Sequence, residues 1–323
     1  MPRRPHAGIT IAKIAGACNV SLATVSRVLY NRPYVSDEVR KRIQQEIARS
    51  GYVSPQISRS GKVLLLSSFG SRMINGEYYY ELLNALHAAF LQVGYKTVAG
   101  ESSILPQLRN VGFDAVVSLC GYEEDVFLHW EKHLVTPLIY INRHIPKPHC
   151  NCYSVCADHR GALQEAVQLL YEKKHRRIGL LIVGYESPEY HRTWEEREGF
   201  LSQMANLGIF DQAYIEYTQD QEPHQALIRL LHHNITALIC PSSTEGGKLP
   251  KILHDLHWKI PQDLSLIVGD SSFYNQVNPV ELTSLRMPFE KIAENCCAIL
   301  QKKKVNHMIP YELIQRESVR TYR

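Results

Sequence analysis

The chain lacks the features that would place it in a membrane, a secreted scaffold or a common enzyme class. No uninterrupted apolar run of bilayer-spanning length occurs in its 323 residues, and the opening "MPRRPHAGIT" has no apolar core of the kind a secretory leader needs. The expectation is a cytoplasmic protein with no membrane partner. There is no Walker A loop, no G-x-G-x-x-G after a strand, no G-x-S-x-G elbow and no H-E-x-x-H, so no catalytic constellation or cofactor cradle is legible. The chain is not read as an enzyme, and no cofactor is expected.

Acid is scarce in one place. Residues 1–62 hold eleven Lys/Arg against three Asp/Glu, a net +8, while the remainder holds 25 against 29, a net −4. A basic module on a mildly acidic body points to a polyanion as the module's partner. The eight cysteines are expected as reduced thiols rather than as a disulfide framework.

What is present in the basic module is helix punctuation. Thr10 is placed to cap a short helix through Ala17, and Ser21 a second, "LATVSRVLY", whose Val25, Val28 and Leu29 form one apolar stripe. Ser36, Asp37 and Glu38 open a third, with Val39, Ile43 and Ile47 on one face and Gly51 as its stop. Two helices joined by a tight turn give helix-turn-helix spacing, in which the second helix enters the major groove. Arg27 then suits a guanine edge, Leu22 and Ala23 a thymine methyl, and Thr24, Ser26, Asn31 and Arg32 the phosphates.

From Val63 onward, buried-strand runs ("VLLLSS", "AVVSLC", "LIYIN", "RIGLLIV", "ALIC", "LSLIVG") alternate with amphipathic helices, the pattern of an α/β protein with parallel sheets. About 260 residues are too many for one doubly wound sheet and suit two lobes with a cleft between them.

The stretch "TIAKIAGACNVSLATVSRVLYNRPYVSDEVRKRIQQEIARSGY" resembles the DNA-binding headpiece of the LacI/GalR family of bacterial transcriptional regulators. "FDAVVSLC", "TPLIYINR", "ADHRGA", "HRRIGLLI", "ELTSLRMP" and "ELIQRES" carry the resemblance in order through the body. It implies a helix-turn-helix domain over residues 1–60, then a periplasmic-binding-protein-like body over 61–323 with two Rossmann-like lobes. Lobe 1 would take 62–157 and 288–309, and lobe 2 158–287 and 310–323.

The function implied is a sequence-specific regulator, a repressor, binding a pseudo-palindromic operator in double-stranded DNA as a homodimer. A carbohydrate-like effector in the interlobe cleft would modulate it. By the same resemblance Leu22, Ala23 and Arg27 fall on base-reading positions, and Tyr78, Tyr79, Asn142, Arg197 and Asp270 on effector positions, with Trp194 and Phe273 as a stacking wall.

The chain departs from the family at four places. Lys13 replaces a capping acid and is free for a phosphate. After "ALIC" comes "PSS", so Ser242, kept as an effector-site candidate, and Ser243 stand where an amide and a carboxylate are usual, and the segment from Glu101 to Phe113 is short. In "YVSPQISRSGK" the residues Tyr52, Ile57, Arg59 and Ser60 fit the family's hinge helix, but Gly61 stands where a leucine wedges into the minor groove. No leucine-driven kink is expected.

An alternative reading makes "HIPKPHCNCYSVCADH" a metal or thiol sensor through Cys150, Cys152 and Cys156. Its C-x-C-x₃-C spacing is not that of a standard zinc finger, and packing on a strand is the simpler account. A regulator without effector binding is the other alternative.

Overall fold

The computed structural model describes residues 10–29, 34–50, 60–67, 76–101, 112–119, 136–143, 151–184, 191–210, 214–218, 223–303, 305 and 308–322. Its first three helices are α1 (Ile11–Ala17), α2 (Leu22–Leu29) and α3 (Asp37–Ser50). Each starts on a hydroxyl cap: the N–H groups of Lys13, Thr24 and Val39 donate to Thr10, Ser21 and Ser36 at 3.4, 3.0 and 3.4 Å. The apolar stripes meet in one small core of Ile14, Ala15, Cys18, Val25, Val28, Leu29 and Ile43, with Val39 and Ile47 packed against it.

The body holds two six-stranded sheets, as the alternating pattern implies. The first runs β11-β5-β4-β3-β1-β2, all parallel, from β1 (Lys62–Ser67), β2 (Lys96–Glu101), β3 (Ala115–Ser118), β4 (Leu138–Ile141), β5 (Cys152–Ala157) and β11 (Met308–Ile309). The second runs β12-β10-β9-β8-β6-β7, from β6 (Ile178–Ile182), β7 (Ile215–Tyr217), β8 (Ala237–Cys240), β9 (Ser265–Gly269), β10 (Thr283–Arg286) and β12 (Glu312–Ile314), with β12 antiparallel to β10.

Strands β3, β4, β6, β8 and β9 are buried at every residue, in keeping with their continuous apolar runs, and helices cover both faces of the second sheet. On the first sheet pack α4 (Gly76–Gln92), through Leu82, Leu86 and Phe90, and α10 (Phe289–Leu300), through Ile292, Ala293 and Cys296. The second carries α5 (His159–Glu172), α6 (His191–Asn206), α7 (His224–His232) and α8 (Ser243–Asp255), with the short α9 (Ser272–Val277) after β9.

The chain passes between the sheets at three places: from β5 into α5, from β10 into α10, and from β11 into β12. Gly269 ends β9 where a Cβ would collide with the backbone of Pro241, Ser242 and Ser243, so the turns after β8 and β9 lie against each other. Among the described residues no helix is long and apolar enough to cross a membrane.

Candidate functional site

Helix α2 separates its two faces cleanly. Val25, Val28 and Leu29 are buried, while Leu22, Ala23 and Arg27 are exposed and Thr24 and Ser26 half-exposed. Leu22 keeps 52% of its surface in water. The Thr24 hydroxyl lies 2.8 Å from that of Ser21, so it helps to cap the helix as well as facing outward. Lys13 is exposed on α1. Asn31, Arg32 and Arg59 lie outside the described residues.

Between headpiece and body the described chain resumes at Ser60. The N–H groups of Ser60 and Gly61 both donate to the Asp114 carboxylate, at 3.0 and 2.8 Å, and Gly61 has φ +65°. A left-handed residue favours glycine, and here it turns the chain into β1 at Lys62. Tyr52 and Ile57 of the hinge comparison lie outside the described residues.

The residues expected at the effector site divide into two groups. Tyr78, Tyr79, Asn142 and Phe289 gather at the mouth of lobe 1. The Asn142 amide donates to Tyr78 Oη at 2.9 Å and accepts from the Ala157 N–H at 2.8 Å, so it joins β4, β5 and α4. Tyr78 packs edge-on against both Tyr79 and Phe289, and Tyr79 Oη donates to the Leu119 carbonyl at 3.4 Å. On α6 Arg197 lies over the Trp194 ring, 5.5 Å from its centroid, and pairs with Glu198 at 2.6 Å.

Two residues are engaged internally rather than presented. Asp270 accepts from Ser284 (2.5 Å), Arg286 (2.9 Å), Asn275 (3.1 Å) and Arg316 (3.2 Å). Burial alone would raise its pKa, but the hydrogen bonds from Ser284, Arg286 and Asn275 outweigh it and hold the carboxyl below its ordinary value. Ser242 caps α8: its Oγ accepts from the Glu245 N–H at 3.3 Å and donates to the Glu245 carboxylate at 2.5 Å. Phe273 is exposed and stacks edge-on against Tyr274.

The structure adds polar residues that the sequence reading missed. On α6 Glu196 is buried. One of its oxygens accepts from Arg192 at 2.8 Å, and the other has no protein hydrogen-bond partner. Burial raises its carboxyl pKa, against the lowering effect of Arg192. At the first passage between lobes, buried His159 shares a 2.9 Å hydrogen bond with Tyr311 at the third, leaving its Nε2 unpartnered. Burial brings that imidazole down to about 3, with Arg192 and His191 adding to the effect. Glu196 was detectable in principle, as a carboxylate on the same helical stripe as Thr193, Phe200 and Met204.

Among its described residues the cysteine cluster forms no metal site. Cys152 and Cys156 are buried, burial raises the Cys156 thiol, and among the described residues no three His, Cys, Asp or Glu side chains converge as metal ligands. Cys150, His144 and His149 lie outside the described residues.

Residues 10–55 match the family of bacterial regulatory proteins of the lacI type, and residues 167–319 the periplasmic binding protein-like domain. The chain is 27% identical to an uncharacterised HTH-type transcriptional regulator in the aml 5' region of Streptomyces limosus, over 95% of this chain and 90% of that one. It is 25% identical to the HTH-type transcriptional repressor PurR of Escherichia coli, over 96% of each. Its fold is similar to that of the transcriptional regulator CelR in complex with cellobiose (TM-score 0.68, 21% identity, 96% of this chain and 100% of that one). It is similar also to that of the lac repressor dimer bound to operator and the anti-inducer ONPF (TM-score 0.66, 15% identity, 96% and 99%).

Proposed function

We propose that the chain, in which a lacI-type helix-turn-helix domain is joined to a periplasmic-binding-protein-like body, is a LacI-family repressor that binds a pseudo-palindromic operator as a homodimer under effector control. The observation that carries the DNA-binding reading is α2, whose one face is buried in the headpiece core while Leu22, Ala23 and Arg27 stand exposed on a module of net +8. A groove about 12 Å wide admits one such helix.

Arg27 reads a guanine edge bidentately, Leu22 and Ala23 touch a thymine methyl, and Lys13, Thr24, Ser26, Asn31, Arg32 and Arg59 hold phosphates. Two headpieces related by a two-fold axis meet half-sites about one helical turn apart. Selection of bound fragments from random DNA by the full chain should enrich a two-fold symmetric sequence, and recovery of no common sequence would remove this reading.

The effector would lie between the lobes, against Tyr78, Tyr79 and Asn142 on one side and Trp194 and Arg197 on the other. A guanidinium over an indole grips hydroxyls or a carboxylate in one plane. Asp270 and Ser242 support this site by holding β9, β10 and α8 in place, and Phe273 borders it. Arg197→Ala should abolish the ligand-induced change in operator affinity and leave the ligand-free affinity intact. A retained response would move the site elsewhere. An effector shifts the chain only by the difference in its affinity for the two lobe arrangements.

A further inference from the structure

Among the described residues, the hydrogen bonds that join the lobes away from the three passages are concentrated on one side chain. Glu77, in the first turn of lobe 1's α4, offers Oε1 to three donors of lobe 2: Ser271 Oγ at 2.9 Å, Ser272 Oγ at 3.3 Å and the Phe273 N–H at 3.3 Å. One turn along α4, Glu81 accepts from the same Ser272 hydroxyl at 3.4 Å. These partners are more than 190 residues apart in the chain, so the contact exists only when the lobes meet.

The chemistry around the contact makes it conditional. Burial and the neighbouring Glu77 carboxylate raise the Glu81 pKa, partly offset by the Ser272 hydroxyl, with Asp270 and Glu290 adding to the rise. Carboxylates from both lobes are therefore crowded at one seam, where the donors on Ser271, Ser272 and Phe273 supply the attraction. Asp270 cannot loosen to relieve the crowding, because Ser284, Asn275, Arg286 and Arg316 hold it. The Tyr274 N–H is satisfied within lobe 2, by Ser271 Oγ at 3.0 Å, whether or not the lobes meet.

We propose that Glu77 is the residue that latches the two lobes together, and that this protein-supplied contact, rather than the effector alone, sets the lobe arrangement on which operator affinity depends. The second half of this inference rests on the DNA-binding reading above; the first half does not. Glu77 is a positioning residue here, with no contact to DNA claimed for it.

The test uses the full chain as wild type, Glu77→Ala and Glu77→Gln. Residue-resolved hydrogen exchange should show the Phe273 amide exchanging about three- to tenfold faster in Glu77→Ala, the scale of one lost hydrogen bond, with Tyr274 unchanged. Glu77→Gln keeps an oxygen acceptor and should stay near wild type. Unchanged Phe273 exchange in Glu77→Ala would overturn the latch.

Operator affinity should shift by about fivefold or more in Glu77→Ala, the usual size of an allosteric coupling, and be restored in Glu77→Gln. A released Phe273 amide with unchanged affinity would overturn the regulatory half. A wild-type chain without sequence-specific DNA binding would instead defeat the DNA-binding reading, while the exchange measurement still decides the latch.

Discussion

Asp270 and Arg316, whose carboxylate and guanidinium meet at 3.2 Å across 46 residues of chain, show how far a side chain's role depends on what lies beside it. The sequence offers Asp270 as an acid at a strand end, which is where a ligand anchor belongs, but it gives no sign that Arg286, Ser284 and Asn275 converge there too. Ser242 is different. Its spacing to Glu245 is the S-x-x-E of a capping box, a local pattern open to reading before any fold is known.

His159 carries a prediction at the same scale. Its folded pKa of about 3 lies below the ordinary 6.5, so between those values the unfolded chain binds a proton that the folded chain refuses. Stability is therefore unaffected by this group above pH 6.5 and lost as pH falls, by at most about 1.4 kcal/mol per pH unit. Glu196 acts in the opposite sense, since its raised pKa favours proton uptake by the folded state. Comparing wild type with His159→Gln isolates the histidine: denaturant unfolding from pH 7 to pH 4.5 should show the variant losing less stability than wild type. A difference that does not vary with pH would contradict the burial argument.

At the scale of elements, helices and strands follow from local signals. The stripe of Val25, Val28 and Leu29 and the hydroxyl caps define the headpiece helices, and uninterrupted apolar runs define the covered strands. The joint between headpiece and body was only half legible. Gly61 is visible as a glycine where a wedge residue would stand, but the reason for it is a φ of +65° and a clamp from Asp114, which lies more than 50 residues further on.

That clamp fixes the direction in which the tether leaves lobe 1, since Asp114 immediately precedes β3 and Lys62 begins β1. Asp114→Ala should lower body stability by about 2 kcal/mol, the usual worth of hydrogen bonds to a charged group. It should also weaken operator binding while leaving the headpiece helices folded. Circular dichroism, denaturant titration and operator titration together check this. Wild-type operator affinity in a destabilised body would show that the tether's exit direction is irrelevant to DNA binding.

For the whole molecule, the +8 of the first 62 residues and the −4 of the remainder divide the work: the headpiece is attracted to phosphates, and the body is not. The order of elements placed two parallel-sheet lobes after a three-helix module because each period, 3.6 or 2, is written locally. The Glu77–Ser271 bond that joins the lobes and the His159–Tyr311 bond that ties two of the passages together span 194 and 152 residues and leave no local trace. Lobe coupling therefore rests on residues far apart in the chain.

In the proposed function, α2 reads DNA sequence through Arg27. Parallel selection from random DNA by the wild-type chain and by Arg27→Ala measures it directly. Loss of one bidentate contact should relax base preference at one symmetric position in each half-site, worth about 1–3 kcal/mol of discrimination, with the remaining positions preserved. Identical selected sequences for the two proteins would rule out base reading by Arg27.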